Sequence, residues 1–550
     1  MVILETKYSL LSSLLGKKIN EKELEETLFE MGYELESING DEVRVDITAE
    51  RPDLLSTYGL ARAVRAYLGM KNERYKLKES GLTINVAGAA KEWPYAVACA
   101  VKGLKFDDER IKEVIRIQEK LGAALLRNRR KGGLGLYPLN KIKFPVTYTS
   151  EEPGKIKFKP LDGQQIMSGS QILERHPTGR TYKHLIEDWK RFPIFKDANS
   201  QILSMPPIIN SHELGKIDET TKDVFVECTG TDLKTINLAL SILAGALIDM
   251  GGEVSALKIK YGAKTIVSPE FKEEAQGLEV KKVNRLLGLE LNAEKIKKLL
   301  EKSMYEVKSF NKERLEVIVP PLRSDIWHEV DLIDDVARGY GFNDFELRMK
   351  SVESTGETTP SVKLKEELAD LLVGLGYQEA FTLMLTSKQD QFEKMKVKEA
   401  KHIQLGKSVE RSINMLRCWL LPELMKALTF NQSAEYPHKL FEISQVTLFD
   451  EKAEVKSKET LRLAVVCSNA SANFTEIKQV LDYLLNVLGM EHAIEETEHG
   501  SFIPGRVGRV MAKGRPVAYL GEIKPEVLTA WGLEMPACAL EMDLTELRGL

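Results

Sequence analysis

Leu24 and Leu28 stand four residues apart on one helical face. Before them Asn20 suits an N-cap with Glu23 three residues on, and after them Gly32 suits a left-handed C-cap. The pattern predicts a helix of about three turns. It returns later: Asn292, Ile296 and Leu300 repeat that face, and Leu315, Val317 and Val319 then alternate as a half-buried strand. Residues 14–69 reappear without a gap at 286–341, with fifteen identities in fifty-six positions, among them Tyr33 with Tyr305, Arg51 with Arg323 and Asp53 with Asp325. Each copy opens a second helix near Asp53 or Asp325. A helix, a strand or hairpin and another helix make a small winged-helix-like unit, which often reads nucleic acid. A packing module without a ligand fits the pattern equally well.

Between the copies the pattern changes. Lys71–Ser80 is charged and poor in large apolar residues, as a linker is, and a second domain begins near Gly81. It mixes strands such as Tyr95–Val101 with helices such as Ile111–Leu121. The most apolar stretch, Leu238–Ile248, has eleven residues, too few to span a bilayer, and predicts a buried helix over 233–250. Ile202–Ile209 and Asp223–Cys228 read as strands whose ends approach the start of that helix. From Leu364 onward strands are expected at Lys439–Phe449, Leu461–Cys467, Val507–Ala512, Val517–Ile523 and Cys538–Asp543. They surround a helix capped by Asn473, with Glu476 as box partner, and ended by Gly489. A hairpin around Gly514-Arg515 favours an antiparallel sheet with helices, and Ser351–Ser361 reads as a hinge before it.

The 550 residues allow roughly three to five domains. Lys plus Arg number 78 against 82 Asp plus Glu, so any nucleic-acid contact must be local rather than a whole-chain field. Cys99, Cys228, Cys418, Cys467 and Cys538 form no CxxC, which argues against a disulfide framework or a zinc site and fits a reducing cytoplasm. The first residues lack the basic region and apolar core of a signal peptide, so no export is inferred.

Three places carry candidate chemistry. In the second copy Asp331, Asp334 and Asp335 replace Gly59, Arg62 and Ala63 and share one helical face. Like charges at that spacing cost about 0.2–0.5 kcal/mol per pair. Either an oxygen-liganded magnesium ion or Arg338 and solvent neutralises them. In the central domain Asp232 is the expected N-cap of the buried helix, which sets Thr229 and Thr231 beside backbone donors and the positive end of its dipole. Such a place orients water, and Glu227 on the same cavity would hold a substrate amine or polarise that water. A cap and a satisfied turn without chemistry is the alternative. Finally, Arg127-Asn128-Arg129-Arg130-Lys131 precedes Gly132, Gly133 and Gly135, either a phosphate-holding loop or a solvated turn.

Several long motifs, in order, resemble the β subunits of phenylalanyl-tRNA synthetases of the short archaeal and eukaryotic type. They are Arg51-Pro-Asp-Leu-Leu55, Leu203-Ser-Met-Pro-Pro-Ile-Ile-Asn-Ser211, Glu227-Cys-Thr-Gly-Thr-Asp232, Pro320-Pro-Leu-Arg-Ser-Asp325 with the run from Asp331 to Gly341, and Phe502-Ile-Pro-Gly-Arg-Val507. The resemblance implies an α+β multidomain chain. Two winged-helix-like modules lie at 1–80 and 267–347, an α/β editing domain at 81–266, and a catalytically inert class II synthetase-like antiparallel sheet with helices at 348–550.

It also implies an assembly of two α and two β chains in the cytoplasm that joins phenylalanine to tRNA(Phe) with ATP on the α chain. The β chain then scaffolds, contacts tRNA and hydrolyses Tyr-tRNA(Phe). By the same resemblance Asn210, Ser211, Glu227, Thr229, Thr231 and Asp232 form the editing site with Leu203 and Pro206 as walls, and Asp325, Asp331, Asp334 and Asp335 bind magnesium. Class II synthetases hold ATP with an Arg-x-Glu strand, and Leu440 stands where that arginine is expected, two before Glu442. The segment Gly122–Asn140 departs from the family, which has acids near Pro138 and Asn140. A non-catalytic tRNA-binding or assembly protein, and a free-standing editing deacylase, remain as alternatives.

Overall fold

The computed structural model describes residues 2–347, 354–408, 410 and 412–548, in two units, Met1–Arg348 and Met349–Leu550. In the first unit the repeat is visible element by element. Strand Val2–Lys7, helices Tyr8–Leu15 and Glu21–Glu30, strands Glu34–Asn39 and Glu42–Ile47 and helix Thr57–Tyr67 form the first copy. Glu274–Glu279, Val280–Leu287, Ala293–Glu301, Glu306–Phe310, Arg314–Val319 and Glu329–Tyr340 form the second in the same order. In each, the last strand lies in the middle of a three-stranded antiparallel sheet. Val2 faces Ile47 and Lys7 faces Glu42, as Glu274 faces Val319 and Glu279 faces Arg314.

The duplication therefore includes an opening strand that the sequence comparison misses, because residues 2–13 and 274–285 share no identity. Ladder hydrogen bonds need only backbone and a compatible buried position, here Thr6 in one copy and Leu278 in the other. Asn20 and Asn292 cap as expected, accepting from the amides of Glu23 and Lys295 at 2.9 and 2.8 Å. The helices expected near Asp53 and Asp325 begin later, at Thr57 and Glu329. Ion pairs within the preceding turns, Arg51 to Asp53 at 2.8 Å and Arg323 to Asp325 at 2.6 Å, hold those turns out of the helix.

The segment between the copies folds around a ten-stranded sheet. Its order is Ile209–Asn210, Ile202–Met205, Phe192–Lys196, Val146–Glu151, Lys78–Val86, Glu253–Tyr261, Tyr95–Lys102, Val224–Gly230 and Gly132–Pro138, with Lys264–Ser268 also beside Glu253–Tyr261. Only Lys78–Val86 runs parallel to its neighbours. The linker is thus shorter than expected, since Lys78 to Ser80 already belong to the sheet. Helix Leu233–Asp249 covers one face and buries Leu240, Leu243 and Leu247 against Val224, Val226 and Cys228. Each such leucine contributes about 1.5–3 kcal/mol. The opposite face carries Tyr137, Tyr148, Phe195, Leu203 and Phe225 among Ala96, Ala98 and Ala100. No helix among the described residues is long and apolar enough to cross a membrane.

The second unit holds a seven-stranded sheet ordered Gln378–Glu379, His438–Phe449, Ser457–Ser468, Ala537–Asp543, Arg515–Ile523, Phe502–Ala512 and His492–Glu496. All neighbours are antiparallel except the first pair. Helices Pro360–Gly374 and Phe474–Val487 pack on one face, Leu421–Phe430 and Pro525–Trp531 on the other. The expected hairpin is a two-residue turn, with φ of 44° at Lys513 and 77° at Gly514. Asn473 caps its helix, but Glu476 accepts from Asn469 at 3.2 Å instead of closing the box. The hinge expected at Ser351–Ser361 lies partly on 351–353, outside the described residues, and 354–359 have no regular structure.

A buried ion pair ties this second sheet to a neighbouring loop. Arg417 donates to Glu442 and to the Thr382 hydroxyl at 2.8 Å each and to the Ser444 hydroxyl at 2.7 Å. Both charged side chains are 1% exposed. Arg417→Met leaves Glu442 buried without a cation and is expected to cost about 3–5 kcal/mol, read from the urea midpoint. Adding Glu442→Leu should restore most of the loss; a single-variant cost below about 1 kcal/mol contradicts this role.

Candidate functional site

Strand alternation decides which side chains share a surface. Val224, Val226 and Cys228 face the long helix, so Phe225, Glu227 and Thr229 face the other way. Glu227 sits between Ala98 and Gly135 on the flanking strands, and Thr229 between Ala96 and Gly133. A Cβ at Gly135 would fall on Glu227 Oε1 and the Tyr137 hydroxyl, so the carboxyl depends on that glycine.

Glu227 is 2% exposed. Its Oε1 lies 2.9 Å from the Tyr137 hydroxyl, which is 3.2 Å from Asn210 Oδ1. Glu227 Oε2 and Thr229 Oγ1 are buried with no hydrogen-bond partner among the described residues. Burial pushes the Glu227 carboxyl up to about 8, and the Tyr137 hydrogen bond opposes that rise. Burial and the proximity of Glu227 likewise raise the hydroxyls of Tyr137 and Tyr148 and the thiol of Cys228. Among the described residues no cation offsets the burial, which favours the protonated carboxyl at neutral pH. It then offers a donor and an acceptor in dry surroundings.

The expected site residues divide into two sets. Leu203 shares the aromatic core with Tyr137, and Asn210 pairs with Ser204 and donates to the Leu136 carbonyl at 3.4 Å. Ser211 is buried nearby but committed: its amide donates to Leu203 O at 2.7 Å, and its hydroxyl accepts from the Leu214 amide at 3.3 Å. The strand expected over Ile202–Ile209 breaks at buried Pro206 and Pro207, and Pro207 packs over Gly133.

Thr231 and Asp232, by contrast, are exposed at the helix start. Asp232 accepts from the Thr235 amide at 2.8 Å and its hydroxyl at 2.6 Å, which lowers its pKa, and the Thr231 amide donates to Lys131 O at 3.0 Å. The expected grouping of Thr229 with Thr231 beside the helix dipole is therefore corrected. The strand runs on to Gly230 and turns Thr229 toward Glu227.

The basic run forms the solvated turn of the two expectations, with Arg127, Asn128 and Arg130 exposed, but Arg129 is turned inward. Arg127, Asn128 and Arg129 have φ of 50°, 53° and 61°, a left-handed turn of non-glycine residues, each costing about 1–2 kcal/mol. Its purpose is visible in Arg129, which donates to the Pro207 and Ile208 carbonyls at 3.1 and 3.3 Å and stacks 4.1 Å over Tyr182. The glycines that follow are strand residues. Gly133, Gly135 and Tyr137 alternate on one face, and this period of two is the signal that sequence reasoning passed over.

The acids of the second copy do not converge. Asp325 takes two hydrogen bonds from Arg323 at 2.8 and 2.6 Å, and the same guanidinium reaches Asp335 at 2.7 Å. Asp331 accepts from the amides of Trp327 and His328 at 2.7 Å each, as a cap. Asp334 holds Arg338 at 2.9 Å, and Arg338 donates to Met31 O of the first copy at 3.0 Å. Among the described residues no three His, Cys, Asp or Glu side chains gather as a metal site. Arginines and backbone amides thus hold Asp325, Asp331, Asp334 and Asp335, the four carboxylates expected to bind magnesium.

Three family models match the chain. They are described as phenylalanyl tRNA synthetase beta chain CLM domain at residues 346–544, tRNA synthetase B5 domain at 277–342 and Phe-tRNA synthetase beta subunit B1 domain at 1–70. All three describe parts of tRNA synthetases, which sets the class. The chain is 38% identical over 542 residues to the phenylalanine–tRNA ligase beta subunit of Thermococcus sibiricus, covering 97% of each. It is 36% identical over 545 residues to that of Pyrococcus furiosus, covering 98% of each. An N-terminal fragment of the phenylalanyl-tRNA synthetase beta subunit from Pyrococcus horikoshii superposes with TM-score 0.59 at 34% identity, over 62% of this chain and 99% of that one. The chain belongs to the phenylalanine–tRNA ligase β-subunit family.

The buried acid makes a pH-dependent prediction. Unfolded, Glu227 loses its proton near 4.5; folded, it keeps it to about 8. The folded state binds more protons across that window, so this contribution to stability is complete below the lower value and is lost as pH rises through the upper. Glu227→Gln has no proton to lose. Its melting temperature relative to the parent chain is expected to climb steadily between those two pH values, and a constant difference contradicts the assignment.

Proposed function

We propose that this chain works in the cytoplasm as the β subunit of a phenylalanine–tRNA ligase, two copies assembling with two α subunits. In this reading the α chain joins phenylalanine to tRNA(Phe) with ATP, while the central sheet of the β chain hydrolyses Tyr-tRNA(Phe). The observation that carries the hydrolytic half is Glu227, a buried acid with one oxygen bonded and the other bare.

A pocket shaped for an apolar ring rejects a hydroxylated analogue only by about 10²-fold. A site with a buried polar group awaiting a hydroxyl discriminates in the opposite sense by about 10⁴-fold or more, because the analogue lacking it leaves that group unpaired. Glu227 meets that requirement, with Leu203 and Pro206 as walls and Asn210, Ser211 and Thr229 as neighbouring polar groups. Thr231 and Asp232 serve as the exposed rim and cap in this arrangement.

The second unit supports the scaffold half. Glu442, which in an Arg-x-Glu strand would face ATP, is instead consumed by Arg417. Phe381 and Leu383 are 87% and 70% exposed beside the edge strand Gln378–Glu379, an apolar surface suited to a subunit partner.

The α/β complex is expected to release tyrosine from Tyr-tRNA(Phe), and Glu227→Ala to slow release by about 10²-fold while phenylalanine attachment continues. Failure of the chain to join α, or an unchanged rate in Glu227→Ala, contradicts the proposal.

A further inference from the structure

The hydroxyl of Tyr137 has one proton and two acceptors within reach, Glu227 Oε1 at 2.9 Å and Asn210 Oδ1 at 3.2 Å. Nothing about it is free to move. The ring is fully buried, packs 5.7 Å from Phe225, and closes against the space that a side chain at Gly135 would fill. Asn210 is anchored in turn by its contact with Leu136 O, and Gly215 leaves no room beside its Cβ.

We propose that Tyr137 is the positioning residue of this site: its hydroxyl, shared between Glu227 and Asn210, fixes the carboxyl so that Oε2 alone is offered to the hydroxyl of an aromatic aminoacyl group. This rests on the editing reading above. With Glu227 protonated, Oε1–H donates to Tyr137, Tyr137 donates to Asn210, and every polar atom of the relay is satisfied except Oε2. That oxygen is then a bare carbonyl-type acceptor, and a buried acceptor without a donor favours the ligand that brings one. The titratable groups facing the carboxyl are Tyr137 and Tyr148, both held neutral by burial, so neither competes for Oε2 as a charge.

The test uses the α/β complex with Tyr-tRNA(Phe) and Phe-tRNA(Phe) as probes. Tyr137→Phe keeps the ring and removes the hydroxyl. It is expected to lower the ratio of tyrosyl to phenylalanyl hydrolysis about tenfold, and to move the alkaline break of the pH–rate profile up by roughly one unit, because once the carboxyl ionises Tyr137 donates to it, and that charge-assisted bond is stronger than the one to the neutral acid. Asn210→Ala leaves the Tyr137 proton wholly to Glu227 and should move the break down. A purely structural residue would lower the melting temperature and leave ratio and break in place.

Should Tyr137→Phe fail to join α, the infrared carbonyl band of protonated Glu227 in the isolated chain, identified by its loss in Glu227→Gln, must still shift in Tyr137→Phe. An unchanged ratio, break and band overturn the proposal while leaving the editing reading intact. A parent complex that hydrolyses neither substrate defeats both.

Discussion

A carboxyl group placed inside a sheet without a cation is the constraint to which the central domain answers. Removing a charge from water is expensive, so the group is kept neutral, and the structure around Glu227 is arranged to keep it so. Flanking strands place Ala98 and Gly135 beside it, and a side chain at Gly135 would fall on its Oε1. Tyr137 supplies one hydrogen bond, and the left-handed turn at Arg127–Arg129 pins the Pro207 segment that covers the same face. An acid buried with one oxygen unbonded is what the proposed editing role draws on, since a leucine would serve packing better.

The duplicated modules show the opposite treatment of charge. Both copies bury an arginine–aspartate pair in the turn before the last helix, Arg51 with Asp53 and Arg323 with Asp325. In the first copy Arg51 also donates to Tyr33 at 3.1 Å. In the second, Asp335 stands where the first has Ala63, and Arg323 bridges two carboxylates while Tyr305 donates to Asp335. Of the extra acids, Asp334 adapts this copy to dock on the other, by holding Arg338 where it reaches the Met31 carbonyl. Gly32, with φ of 84°, has no side chain to block that arginine.

Periodicity exposed the helices, caps and most strands because these depend on local spacing. Asn20, Asn292, Asp232 and Asn473 cap as their positions require, and the Gly514 hairpin follows from its turn residues. The repeat was legible wherever side chains were retained and invisible in its opening strand, where only backbone pairing was kept. Site geometry was harder to read, because it depends on which face a residue takes. Two extra residues of strand moved Thr229 from the helix start to the company of Glu227, and Tyr137, ninety positions before Glu227, had no local signal linking the two. The acidic helix was half legible: spacing gave the Asp334–Arg338 pair, but Arg323, which holds Asp335, and the Met31 carbonyl, which holds Arg338, come from another turn and from the other copy.

The central claim is that the chain carries a site preferring a hydroxylated aromatic amino acid, read out by the bare oxygen of Glu227. Calorimetric titration of the full chain with free tyrosine and free phenylalanine addresses it without α subunit or tRNA. The account predicts that tyrosine binds at least about tenfold more tightly, a hydrogen bond's worth of preference, and that Glu227→Ala erodes the difference. Equal affinities, or a preference for phenylalanine, would contradict it.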